Sequence, residues 1–178
     1  MTKCNSEQIN LQAFIRTVPN FPKDGIQYKD ITPLLRNPLS FKTAVTEMLL
    51  PFAKTPIDTV VAVEARGYLL GAAVALKLGS GIVPLRKPNK LPWLTFEETY
   101  TLEYGSATLQ IHQDAINQSD NVLIVDDILA TGGTLRAAVN LVEKFGANIA
   151  GITLLAELSF LHGRNQLKGV PIYSVISY

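Results

Sequence analysis

Apolar positions along the chain change their spacing several times, and each change predicts an element. Leu11, Phe14, Ile15 and Val18 share one helical face, which Pro19 ends. A proline-dotted loop, FPKDGIQYKDITPLL (21–35), follows without that period. Asn37 reads as an N-cap with Pro38 in the first helical turn, and Phe41, Val45, Met48, Leu49 and Phe52 keep helical spacing behind it. From Thr59 the texture shifts to TVVAVE (59–64), a β-branched run without polar alternation, as in a strand covered on both faces. An apolar helical segment follows the tripeptide ARG and runs to Leu78, and GIVPLR (81–86) supplies the next strand. NVLIVDD, from Asn121, gives another strand, then the loop ILATGGT and a helix with Leu135, Val139 and Val142 on one face, stopped near Gly146. NIAGITLLAEL (148–158) and PIYSVIS (171–177) complete the strands.

Strand–helix alternation of this kind predicts an α/β fold, a parallel sheet with helices on both faces. Between Arg86 and Asp120 the alternation breaks. There TYTLEY and ATLQIH, joined at Gly105-Ser106, predict an antiparallel hairpin beside a proline-rich loop, an insertion suited to a lid. Ligands of open α/β sheets sit at the carboxyl ends of the strands, so the loops after Glu64, Arg86 and Asp127 are expected to converge.

Composition narrows the classes. A chain of 178 residues, 47% hydrophobic and 17% charged, predicts one folded domain over 1–178. Its net charge of +1 provides no overall field toward nucleic acid or anionic membranes, so an anion site must be local. The single cysteine, Cys4, excludes an internal disulfide and reads as a loose terminal residue. The longest uncharged apolar run, GYLLGAAVAL (67–76), is shorter than the ~20 residues that span a bilayer. The expectation is a soluble, cytoplasmic protein.

The local anion site is in VLIVDDILATGGT (122–134). Gly132 and Gly133 let the main chain approach a phosphate, and amides at the helix start point at it with the positive end of the dipole. Thr131 and Thr134 add hydroxyl donors, while Asp126 and Asp127 suit the hydrogen-bond donors of a ribose diol. Together they describe a ribose phosphate. No lysine follows Gly133 as a Walker loop requires, and GxGxxG is absent.

The order hydrophobic run, Asp-Asp, A-T-G-G-T resembles the signature of the type I phosphoribosyltransferases, which use 5-phosphoribosyl 1-diphosphate with Mg²⁺. The resemblance implies that fold, a parallel sheet flanked by helices with a small hood, here about 87–113. It implies that Asp126 and Asp127 bind the ribose hydroxyls and that Ala130, Thr131, Gly132, Gly133 and Thr134 wrap the 5-phosphate. VEARGYLLGAA and PLRKPNKLP resemble the adenine-specific members, which places Arg66, Arg86, Lys87 and Lys90 on the diphosphate. Asn89 stands where glycine is common in that loop.

Two further segments carry the base. FPKDGIQYKDITPLL is similar to the base-recognition stretch, with Tyr28 stacking on adenine and the main chain of Gln27 and Lys29 reading its amino edge. LEYG (102–105) implies Glu103 as the carboxylate handling the proton at adenine N7, and Tyr104 beside the sugar phosphate among the donor-binding groups. The implied reaction is transfer of phosphoribose to adenine N9, giving AMP and diphosphate, with Mg²⁺ held mainly by the donor and no direct protein ligand. A homodimer is implied likewise. Alternatives are a relative acting on another purine, or a regulator that senses the donor without turnover. His112 and His162 lack metal-ligand spacing.

Overall fold

A computed structural model describes residues 9–101 and 105–178. Two compact units divide the chain, residues 1–47 and 48–178. The structure corrects the sequence expectation at the start of the first unit. The helical face over 11–18 is only a short 3-10 turn, Leu11–Phe14, followed by strand β1, Arg16–Pro19. β1 pairs antiparallel with β2, Gln27–Asp30, in the register Arg16↔Asp30 and Val18↔Tyr28. Strand pairing overrides the helical spacing because Thr17 and Val18 are β-branched and the pair gains cross-strand contacts. Arg16 Nη2 lies 3.0 Å from Asp30 Oδ2, and Lys29 Nζ donates to Thr17 Oγ1 at 2.9 Å. About half of the stretch 21–35 is therefore regular structure: it contains β2 and most of α1, Thr32–Arg36. Asn37 caps α2, Pro38–Leu49, as expected, its Oδ1 accepting from the amides of Leu39 and Ser40, each at 3.0 Å.

The second unit is built on a five-stranded parallel sheet in the order β4-β3-β7-β8-β9. Its strands are β3 (Thr59–Val63), β4 (Gly81–Leu85), β7 (Asn121–Leu129), β8 (Asn148–Glu157) and β9 (Ile172–Ser177). Every residue of β3 is buried, which explains why its sequence lacks alternation. α3 (Gly67–Leu78) packs on the β3 face that carries Ala62, whereas α4 (Gly133–Glu143) joins the core of Val61, Val63, Ile124 and Leu154 on the other face. The sheet thus has a helix on each side, and its strand ends point the β3, β4 and β7 loops the same way.

The predicted hairpin is β5 (Thr95–Thr101) and β6 (Ser106–His112). It is bound to the sheet edge by reciprocal main-chain hydrogen bonds between Arg86 and Gln110, at 2.9 and 2.7 Å. Leu109 and Ile111 of β6 are buried in the core. Alternate residues of β5 run down α4. Phe96 meets Phe145 just beyond the helix, Glu98 accepts from Asn140 at 2.8 Å and pairs with Lys144 at 3.0 Å, and Tyr100 meets Thr134 at the helix start. No helix among the described residues is long and apolar enough to cross a membrane.

Candidate active site

β7 runs two residues further than the sequence pattern gives it, through Asp126 and Asp127 to Leu129. The acids are therefore held on a strand whose neighbours are both paired, and each is at most 8% exposed. Asp126 Oδ1 accepts from the Asp127 amide at 2.8 Å. Burial, then the neighbouring Asp127 charge, pushes the Asp126 carboxyl well above its ordinary range. Asp127 faces a cation instead: its Oδ2 lies 2.6 Å from Nε of Arg66. Arg66 precedes α3, and a Cβ on the next residue, Gly67, would come within 2.8 Å of Asp126 Oδ1. The glycine of the ARG turn lets α3 start against the acid pair.

Beyond Leu129 the chain turns through Ala130 and Thr131 to Gly132, whose φ of +91° L-residues rarely adopt, and α4 begins at Gly133. No side chain caps α4, so its first-turn amides are directed into the turn. Asp126, Ala130, Thr131, Gly132 and Thr134 line a cleft of about 70 Å³ there. The Thr134 hydroxyl donates to the Tyr100 hydroxyl at 3.2 Å. An acid pair, helix-start amides and hydroxyls around one cleft can hold a phosphorylated polyol.

The other cations gather on a residue that no motif in the sequence singles out. Glu64 directly follows β3, and its side chain, 7% exposed, is ion-paired with Lys90 Nζ and with Arg86 Nε at 3.4 Å. It also accepts from the Lys87 amide at 2.9 Å. Burial alone would raise the Glu64 pKa, but Lys90, the Lys87 amide and Arg86 outweigh it and hold it low. The β3 and β4 loops converge on this carboxylate, and the β3 and β7 loops on the Arg66–Asp127 pair. Asn89 takes a left-handed φ of +64°. Asparagine tolerates that region better than other side chains, so the usual glycine turn can form without glycine.

Glu103 and Tyr104 lie outside the described residues, as does Cys4. Gln27, Tyr28 and Lys29 occupy β2 in the first unit, where the Tyr28 ring is edge-on to Phe21 with centroids 5.0 Å apart. Among the described residues no group of three His, Cys, Asp or Glu could hold a metal.

Residues 41–175 match the model of the phosphoribosyl transferase domain family. An adenine phosphoribosyltransferase of Kosmotoga olearia is 49% identical over 170 residues, covering 96% of this chain and all of that protein. The chain belongs to the adenine phosphoribosyltransferase family. A crystal structure of the Rhodothermus marinus adenine phosphoribosyltransferase matches with a TM-score of 0.91 and 47% identity, over 94% of this chain and 96% of that one. The Saccharomyces cerevisiae adenine phosphoribosyltransferase, complexed with an imino-altritol bisphosphate and adenine, matches with a TM-score of 0.87 and 42% identity, over 92% and 95%. The match establishes the type I transferase fold that the Asp-Asp, A-T-G-G-T order implied.

A second turn positions the phosphate loop. Gly163, in the turn after β8, stands so close that a Cβ on Gly132 would collide with its carbonyl oxygen, and a Cβ on Gly163 with the carbonyl of Ala130. This turn is clamped by Arg164. Its guanidinium donates to both Glu157 oxygens, at 2.6–2.9 Å, and to the Ile172 carbonyl at 3.1 Å. In the sequence this turn is marked only by the glycine of His162-Gly163-Arg164, and it is the fold that brings it beside a loop about thirty residues earlier.

Proposed function

We propose that this protein transfers the 5-phosphoribosyl group of 5-phosphoribosyl 1-diphosphate to N9 of adenine, giving AMP and diphosphate, a purine-salvage reaction. The observation that carries the reading is the meeting, at the carboxyl ends of β3, β4 and β7, of an acid pair, a glycine–threonine cleft and cations. The amides of 130–134 and the hydroxyls of Thr131 and Thr134 take the 5-phosphate, and Asp126 and Asp127 take the ribose diol. Arg66, Arg86, Lys87 and Lys90 take the diphosphate, with Tyr104 beside the sugar phosphate. Asp127 pairs with Arg66, and Glu64 with Arg86 and Lys90, so donor binding exchanges these ion pairs for others. Mg²⁺ neutralises leaving-group charge when bound. Asp126 and Asp127, adjacent hard oxygen groups at the diol site, would lie near a metal that the donor itself carries, with no direct protein ligand.

The N9–C1 bond forms as the C1–diphosphate bond breaks, through an oxocarbenium-like state, and the adenine proton leaves through N7 to Glu103. Arg66 and Lys87 stabilise the departing diphosphate, and preorganised charges of this kind supply the largest share of most rate enhancements. Tyr28 stacks on the base while the main chain of Gln27 and Lys29 reads its amino edge. A 6-oxo purine would leave a buried donor–acceptor mismatch costing about 1–3 kcal/mol per unpaired group. Residues 87–113 form the hood that excludes water.

The reading includes a cytoplasmic homodimer. Leu69, Ala72, Ala73 and Leu76 form an apolar stripe on α3 with Leu76 85% exposed, and Ile82 of the edge strand β4 is 44% exposed. The test is a base panel with donor and Mg²⁺. AMP from adenine, with hypoxanthine and guanine at least ~10-fold slower, supports the assignment. Equal turnover of a 6-oxo purine overturns the base reading and leaves the donor reading intact.

A further inference from the structure

The hydrogen bond between Thr134 and Tyr100 joins two parts of the molecule that the sequence places far apart. Tyr100 is the last described inward-facing residue of β5, after Phe96 and Glu98, and in the sequence it stands three residues before Glu103. Thr134 is the second residue of α4 and a wall of the phosphate cleft. Both side chains are half-buried, which limits competition from water. A threonine hydroxyl has one proton, and here Thr134 gives it to Tyr100. A phosphate oxygen can only accept. The Thr134 proton must therefore turn into the cleft when phosphate arrives, and its oxygen then needs a new donor. The Tyr100 hydroxyl, already in contact, can supply that donor by rotating its own proton.

We propose that Tyr100 is a positioning residue for the donor's 5-phosphate: it donates to Thr134 Oγ1 and so directs the Thr134 proton at the phosphate. The chain Tyr100 O–H to Thr134 O–H to phosphate strengthens each bond in it, since hydrogen bonds in series polarise one another. It also links an occupied phosphate cleft to β5. This inference rests on the 5-phosphate reading of the loop.

The test separates the two. Tyr100→Phe keeps the ring against α4 and removes only the donor. It should weaken ribose 5-phosphate and the full donor by the same factor, about 5-fold for one lost hydrogen bond between neutral hydroxyls. Affinity for inorganic diphosphate and KM for adenine should stay within about 2-fold, which a general disturbance of the fold would not spare. Thr134→Val should cost more, and Tyr100→Phe added to it should cost nothing further, because the two act as one unit. Additive losses, or an equal loss of diphosphate affinity, overturn the role of Tyr100 while the phosphate cleft stands. Unchanged ribose 5-phosphate binding in Thr134→Val overturns both the cleft reading and the inference.

Discussion

Gly132→Ala probes the phosphate loop with two separable costs. Gly132 sits at φ +91°, and a left-handed backbone costs an L-residue about 1–2 kcal/mol. The added methyl would also drive into the Gly163 carbonyl, with the Gly163 carbonyl carbon and Cα only 3.1 and 3.3 Å away. Overpacking of that kind costs about 1–3 kcal/mol. The sum, roughly 2–5 kcal/mol, predicts a Tm lower by about 4–20 °C in a chain of this length. The fold contains its own control. Gly169 has nearly the same φ, +89°, with open space within 4 Å of where a methyl would stand, so Gly169→Ala should show the backbone cost alone. The assay is thermal unfolding of both variants beside the parent, with ribose 5-phosphate titrated by calorimetry. Gly132→Ala should be the less stable variant and should bind ribose 5-phosphate at least ~10-fold more weakly, because relief of the collision moves the loop or its buttress. Equal Tm losses in the two variants, with unchanged affinity in Gly132→Ala, would show that the Gly163 turn does not hold the loop in place.

Three other perturbations follow from the site. Burial and then the Asp127 charge raise the Asp126 pKa above 3.8, so the ionised form weakens the fold increasingly as pH rises through the folded-state value. Asp126→Asn should raise Tm at about pH 8 by roughly 2–4 °C, with a smaller gain toward about pH 4 and a loss of donor affinity; a lower Tm across that range would sink the argument. Glu64→Gln removes the partner of Arg86 and Lys90, and should cost about 1–2 kcal/mol, less than a fully buried pair because those cations are 35% and 43% exposed. The Glu64 pKa is depressed, so its stabilisation is present above about 4.5 and fades below it; urea unfolding should show the gap to the parent closing as pH falls. Glu103→Leu should lower turnover more than ~10-fold with donor affinity nearly unchanged, and an equal fall in donor affinity would make Glu103 a binding residue instead.

The parallel sheet was legible because fully buried strands such as TVVAV and VLIVD lack alternation and are separated by helical spacing. The phosphate loop was legible because glycines, hydroxyls and acids occupy consecutive positions. Residues 11–18 misled because Leu11, Phe14, Ile15 and Val18 keep helical spacing although a 3-10 turn and then a short strand carry them, and only the pairing with 27–30 decides for the strand. Glu64 was visible at the end of its strand, but its hold on Arg86 and Lys90 depends on β4 lying next to β3. The Gly163 buttress depends likewise on β8 lying beside β7. Local chemistry is written in neighbouring residues, whereas contacts made by strand order require the fold.

Transfer of phosphoribose to adenine is best checked by measuring AMP and diphosphate together in one reaction of the protein with 5-phosphoribosyl 1-diphosphate and Mg²⁺, with and without adenine. Diphosphate should be released one-for-one with AMP, and only when adenine is present. Donor binding without diphosphate release on addition of adenine, hypoxanthine or guanine would contradict the transferase reading and identify a sensor of the donor.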